Sequence, residues 1–203
     1  MDEFPTARLL LRRFRRSDAR ALHGYLSLPE VVRYEPYPVQ SVEDCERLAD
    51  ERAGRTDMWA VCLRDSGEVI GNLYLHRNEP QAWRTWELGY VLHPDHWGRG
   101  YASEGASALV TTCFRAWAAH RVTAGCDPRN AASWRLLERL GFRREGHFRA
   151  NAFFETDATG NPVWHDSYFY AVLAEEWQSP PPGRGFAGTG EPAPTYARRH
   201  DSG

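Results

Sequence analysis

The sequence predicts an α+β domain built on a mixed, mostly antiparallel sheet flanked by helices. Two apolar runs joined by a four-residue polar turn read as a hairpin, and a third run follows to extend it into a meander. Beyond the meander, helical and strand periodicities take turns in a β-α-β-α-β order, and no doubly wound pattern is present. At 203 residues, with 42% hydrophobic and 26% charged side chains, the chain is large enough to bury a core as one domain.

The elements follow in order. Arg8-Leu9-Leu10-Leu11-Arg12 reads as a first strand. Ser17-Asp18 supplies an N-cap for a short helix running through Leu22 and Leu26. Pro36 and Pro38 interrupt the chain before Ser41-Val42-Glu43-Asp44, an acidic variant of the capping box, which opens a polar helix to about Arg55. Met58–Leu63 and Glu68–His76 flank the turn Arg64-Asp65-Ser66-Gly67, and Trp83–Leu92 is the third meander strand. A helix follows Gly98-Arg99-Gly100, with Ala102, Ala106, Leu109, Cys113 and Trp117 on one face. Arg121–Cys126 is a strand, Asn130–Leu140 a helix closed by a C′ glycine at Gly141, and His165–Leu173 a final strand. Trp59, Trp83 and Trp86 read as core and sheet packing. Residues 1–178 form the working domain. From Ser179 to 203 the chain is rich in Pro, Gly and Ala, lacks apolar periodicity, and is expected to be a flexible tail.

Composition narrows the function classes. The formal net charge of −2 offers no basic footprint for nucleic acid. No apolar run reaches the ~18 residues of a spanning helix, and the N-terminal residues lack the apolar stretch of a secretory signal, so a cytoplasmic protein without membrane attachment is expected. Cys45, Cys62, Cys113 and Cys126 are widely spaced and form no Cys/His cluster, which gives no metal site and no disulfide framework. The oligomeric state is not written in the sequence, and a homodimer is compatible with it.

The passage richest in chemistry runs from Trp86 to Ala102. A strand ends at His93-Pro94, a glycine-punctuated turn follows, and a long helix begins. The N–H groups of a helix's first turn have no intrahelical partner, and the helix dipole adds positive potential there. Trp97-Gly98-Arg99-Gly100-Tyr101-Ala102 therefore reads as an anion site. Gly98 and Gly100 open the backbone to phosphate oxygens, and Arg99 is placed to add a charge-assisted bond. A tight turn that needs glycine only for its geometry is the plain alternative. The dinucleotide fingerprint is absent, since position 103 is Ser and the turn follows a third strand.

That turn resembles the Q/R-x-x-G-x-G/A signature of the GNAT superfamily of acyl-CoA N-acyltransferases, with Trp97 where Gln or Arg is usual. Further blocks are similar to the Rim-type subgroup, the bacterial ribosomal-protein N-terminal acetyltransferases. These are Trp86-Glu87-Leu88-Gly89-Tyr90 with His93-Pro94, and Asp127-Pro128-Arg129-Asn130-Ala131-Ala132-Ser133 with Leu140-Gly141-Phe142. Thr6–Arg12 and His165-Asp166-Ser167-Tyr168 resemble the subgroup's first and last strands, so the likeness spans about residues 6–178.

The resemblance implies a single GNAT-like domain in which two strands splay apart to hold acyl-CoA. Its cosubstrate would be acetyl-CoA, with no metal. The acceptor would be a protein or peptide α-amine or a small-molecule, antibiotic-like amine, attacked directly in a ternary complex. An acyl-CoA-binding sensor without turnover is the alternative. Carried onto this chain, the amides of Tyr90, Val91 and Leu92 would face the pantetheine arm, and residues Trp97 to Ala102 would hold the pyrophosphate. Asn130 would lie near the pantetheine amides, although its place before a helix equally makes it an N-cap. Some family members use a glutamate on the strand before the motif as general base, which here is Glu87; a surface or salt-bridged strand glutamate is the alternative. Ser133 would return a proton to the thiolate, or be an ordinary first-turn serine.

His93, His96 and His165 are candidate bases by chemistry alone. Tyr34, Glu35, Tyr37 and the aromatic, loop-like stretch Phe148–Trp164 would form the acceptor side. Asp166 would contact the substrate amine or pair across a strand. Some Rim-type enzymes carry a glutamate soon after the Gly-Phe block; this chain has Arg149–Phe154 there, with Glu155 just beyond.

Overall fold

A computed structural model describes residues 3–177, so the expected tail from Ser179 lies outside the described residues. The elements are β1 (Glu3–Pro5), β2 (Leu9–Arg12), α1 (Ala19–Leu26), α2 (Pro29–Val32), α3 (Val42–Ala53), β3 (Met58–Leu63), β4 (Val69–Arg77), β5 (Thr85–Leu92), α4 (Tyr101–Ala116), β6 (Arg121–Cys126), α5 (Ala131–Arg139), β7 (Arg143–Thr156) and β8 (Pro162–Leu173). The strands form one eight-stranded sheet in the order β1-β2-β3-β4-β5-β6-β8-β7. Every neighbouring pair is antiparallel except β5–β6. The mixed, mostly antiparallel α+β sheet is thus as expected.

Side-chain alternation sorts the core into two layers. On β3, Trp59 and Val61 face α4 and α5, joining Leu73, Trp86, Leu88, Leu109, Cys113 and Leu137. Met58, Ala60 and Cys62 face the other way, against Leu22, Tyr25 and Leu26 of α1 and Cys45 and Ala49 of α3. Both faces of β3 are covered, which is why it reads as an unbroken apolar run. Helix α4 lies close on the sheet at Gly105, where an added Cβ would come within 2.9 Å of Leu73 Cδ1.

Three sequence expectations are corrected here. Ser17-Asp18 does not cap α1 through a side chain. The Asp18 carboxylate instead accepts both Arg12 guanidinium nitrogens, at 2.7 and 2.8 Å, and the Arg15 N–H at 2.8 Å. A buried bidentate ion pair needs that carboxylate more than the helix end does. Trp83 is 68% exposed, because the chain makes a 3-10 turn at Gln81–Trp83 before β5 begins. Phe148–Trp164 is no loop: it belongs to the hairpin of β7 and β8. Register shifts at Phe148/Ala152 and a positive φ of 47° at Ala150 break the period-2 pattern that would have marked β7. The capping box at Ser41 forms as expected, with Asp44 N–H donating to Ser41 Oγ at 3.1 Å and Ser41 N–H to Asp44 Oδ2 at 2.9 Å.

Candidate active site

β5 and β6 pair only over Thr85–Glu87 and Arg121–Thr123. Beyond that point β5 keeps its bonds to β4 as far as Leu92, and β6 keeps its bonds to β8 as far as Cys126. The two strands therefore splay, and Tyr90, Val91 and Leu92 have no strand partner on the side toward β6. A cleft of about 830 Å³ opens along that edge, a volume in the range of small-molecule sites. Its walls are the Glu30–Glu35 segment, Tyr90–Leu92, the turn at His96–Gly98, Gly100–Ser103 and the α5 face carrying Asn130, Ser133, Arg135 and Arg139.

At one end stands the glycine turn. Gly98 and Gly100 have φ of +72° and +80°, a left-handed conformation that disfavours any side chain. No side chain caps α4, and its first bond is from Glu104 N–H to the Gly100 carbonyl at 3.0 Å. Among the described residues, the N–H groups of Tyr101, Ala102 and Ser103 thus remain open at the cleft, as an anion would require. The Trp97 indole N–H donates to the Leu92 carbonyl at 2.7 Å and ties the turn to the end of β5. The Arg99 side chain is exposed and does not line the cleft; its carbonyl accepts from Arg8 Nη1 at 2.9 Å. Arg8 was not singled out from the sequence. Its Nε also binds Glu104 Oε2 at 2.7 Å, and its guanidinium lies 4.5 Å over the Tyr101 ring. With Thr6 Oγ1 donating to Glu104 at 2.6 Å, these contacts neutralise the one carboxylate in the helix's first turn. Arg135 and Arg139, also unforeseen, add positive charge to the wall.

Midway along the cleft, the Asn130 side-chain oxygen accepts from Ser133 N–H at 3.1 Å, so Asn130 is the α5 N-cap and keeps its amide NH₂ for other partners. Ser133 Oγ lies 2.9 Å from the Tyr90 hydroxyl, which also donates to the Ser133 carbonyl at 3.1 Å. Burial pushes the Tyr90 phenol well above its ordinary range. The neighbouring Cys126 thiol is pushed up to about 11, again by burial, so it stays protonated. The phenol had gone unnoticed in the sequence, where Tyr90 stood out only for its amide.

A second pocket of about 610 Å³ lies on the other side of β5. Glu35 and Tyr37 from the turn after α2, Arg52 of α3 and Arg55 just after it, Tyr74, Glu87 and Gly89 of the meander, Phe154 of β7 and His165 and Asp166 of β8 surround it. Burial raises the Glu35 carboxyl to about 7, against the lowering pull of Tyr37 and Arg52. Asp166 is engaged by His147 Nε2 at 2.7 Å and by Ala150 N–H at 2.8 Å, the paired-strand arrangement. Arg129, a donor only, meets His165 Nδ1 at 2.7 Å, so that nitrogen is an acceptor already in use. His93 Nδ1 accepts from Asp95 N–H at 3.2 Å at the end of β5. Among the described residues no group of three or more His, Cys, Asp or Glu side chains stands where it could hold a metal ion, and no helix is long and apolar enough to cross a membrane.

Comparison with known proteins agrees with this architecture. The sequence model of the acetyltransferase (GNAT) domain family matches residues 8–143. The uncharacterized N-acetyltransferase YnaD of Bacillus subtilis (strain 168) is 35% identical over 173 residues, covering 85% of this chain and 97% of that protein. The [ribosomal protein uS5]-alanine N-acetyltransferase of Escherichia coli (strain K12) is 29% identical over 120 residues, covering 59% of this chain and 57% of that protein. Among solved structures, a GNAT-family acetyltransferase from Bacillus anthracis superposes with a TM-score of 0.78 at 33% identity, covering 86% of this chain and 99% of that one.

Proposed function

The chain belongs to the acetyltransferase (GNAT) family, and on that footing we propose that it transfers the acetyl group of acetyl-CoA to a primary amine by direct attack in a ternary complex. The acceptor is a protein or peptide α-amine or a small-molecule amine. The observation that carries this reading is the meeting of two cavities at β5. The larger ends on the open amides of α4, suited to a pyrophosphate, and the smaller enters from the other side of the strand.

In this reading Gly98 to Ala102 hold the pyrophosphate through main-chain N–H groups, with Trp97 fixing the turn and Arg135 and Arg139 adding charge. The amides of Tyr90, Val91 and Leu92 and the Asn130 side chain orient the pantetheine. Tyr34, Glu35, Glu87 and Asp166 surround the acceptor. Ser133, backed by the Tyr90 hydroxyl, returns a proton to the departing thiolate. An α-amine titrates near 7.7–8.0 and is partly neutral at pH 7, whereas a lysine near 10.4 is not, which favours α-amines and other weakly basic acceptors.

The test is a thiol-release assay with acetyl-CoA against peptides, polyamines and aminoglycoside-like amines, with mass spectrometry of the products. Acetyl-CoA-dependent release with at least one amine, and a product heavier by one acetyl group, is expected. Tight acetyl-CoA binding without release under any acceptor would instead make the protein a sensor.

A further inference from the structure

Six residues line both cavities: Tyr34, Glu35, Tyr90, Val91, Asn130 and Ser133. An amine entering from the smaller pocket and a thioester lying in the larger cleft can react only where these six stand. Glu35 is the one carboxylate among them. Glu87 lines the smaller pocket alone and sits opposite Thr123, in the stretch where β5 and β6 are still paired. It lies four positions before Val91 on the strand, roughly 13 Å at the usual rise per residue.

Resting on the transferase reading above, we propose that Glu35 is the general base of the reaction and that Glu87 orients the acceptor from within the smaller pocket. This exchanges the roles that the family resemblance implies for Glu87, a general base, and for Glu35, an acceptor-side residue. The other carboxylates of the pocket are already committed: Glu51 to Arg55 at 3.0 Å, Asp127 to Arg129 at 2.6 Å, and Asp166 to His147 at 2.7 Å. Glu35 instead faces the Tyr37 phenol beside it, Arg52 from α3 and Tyr90 from β5, with Arg129 of the β6–α5 turn stacked 5.8 Å over the adjacent Tyr34 ring. Glu30 and Arg33 are the charged groups of its own segment that also line the cleft. The balance of these surroundings leaves the carboxyl near pH 7, where a base can both hold and release a proton.

The amine nitrogen forms its bond to the thioester carbonyl carbon, Glu35 accepts the N–H proton, and the C–S bond breaks as the carbonyl re-forms. Ser133 gives its proton to the thiolate and is reprotonated from solvent, while Glu35 returns its proton to solvent. The products are the N-acetyl amine and the free thiol.

Two readouts test the assignment. The first is the pH profile of thiol release for wild type, Glu35→Gln, Glu35→Asp and Glu87→Gln with one acceptor, whose own ionisation is common to all four. Wild type should lose rate on the acid side with an inflection near 7. Glu35→Gln should fall about 100-fold and lose that inflection. Glu35→Asp should keep it and recover part of the rate. Glu87→Gln should raise the acceptor KM about tenfold with the inflection intact, the size of one charge-assisted contact. The second readout, Tm against pH, needs no turnover and also reports folding of the variants. A carboxyl raised from 4.5 to about 7 binds more protons in the folded than in the unfolded chain, so its stabilising contribution is lost as pH rises through that window. The Tm of Glu35→Gln relative to wild type should therefore climb between pH 5 and pH 8. An unchanged inflection in Glu35→Gln, or its loss in Glu87→Gln, overturns the assignment. A wild-type protein that binds acetyl-CoA and acetylates no amine overturns the transferase reading and this assignment with it.

Discussion

The two cavities share a wall on β5, yet one is closed by main chain and the other by side chains. At the turn end of the larger cleft, the open main-chain N–H groups come from one short stretch, Tyr101 to Ser103, whose placement depends on the two positive-φ glycines before it. The smaller pocket draws its surface from the turn after α2, from α3 and the start of α5, and from β3, β4, β5, β6, β7 and β8. A backbone site is specified by where glycine and a helix start fall in the sequence, so it tolerates wide change in side chains, as Trp97 illustrates. A side-chain pocket depends on register and on long-range packing, so each contributing position is separately free to vary. In the proposed reading, the first region keeps the chemistry common to the family and the second is where individual acceptors are chosen.

Substitutions should separate the two regions. The largest effect is expected at Gly100→Val, which forces a β-branched residue to φ +80° at the mouth of the anion site. Acetyl-CoA affinity measured by titration calorimetry should fall about 100-fold, some 3 kcal/mol, with acceptor KM little changed. A fall in acceptor affinity alone would break the division between the regions. Smaller and purely catalytic effects are expected at the hydroxyl pair. Ser133→Ala should lower single-turnover thiol release about tenfold, and Tyr90→Phe about threefold, since in the proposed reaction the first donates to the thiolate and the second backs it through the 2.9 Å contact. A Tyr90→Phe loss larger than that of Ser133→Ala would reverse their order in the relay.

Much of this was legible in the sequence for local reasons. Met58–Leu63 and Arg121–Cys126 are strands within the limits their apolar runs suggested, and the Ser41 capping box and the Gly141 turn, at φ +86°, are local chemistry. The three-residue β1 is too short to show a period. None of β7 is read as a strand from the sequence, because register shifts break its period, and the exposed place of Trp83 is hidden because a single indole carries no information about which side of a turn it faces. In the site, the glycine turn could be read directly. The clamp of Arg8 on Glu104 joins residues 96 apart, and the Tyr90–Ser133 contact joins residues 43 apart; neither has a sequence signature. The same limit applies to Glu35 and Glu87. The residue types and the place of Glu87 on a strand were visible, but the face it presents was not, and only the splay of β5 from β6 separates the one that borders both cavities from the one that borders a single pocket.

The most direct measurement is a crystal structure with a non-hydrolysable acetyl-CoA analogue and an acceptor amine. The analogue's acyl carbonyl should lie against Tyr90–Leu92 where β5 lacks a strand partner, the atom at the sulfur position within reach of Ser133 Oγ, and the amine nitrogen within about 3.2 Å of a Glu35 oxygen. A pantetheine arm lying outside the gap between β5 and β6, or an amine nitrogen bound at Glu87 and remote from Glu35, would contradict it.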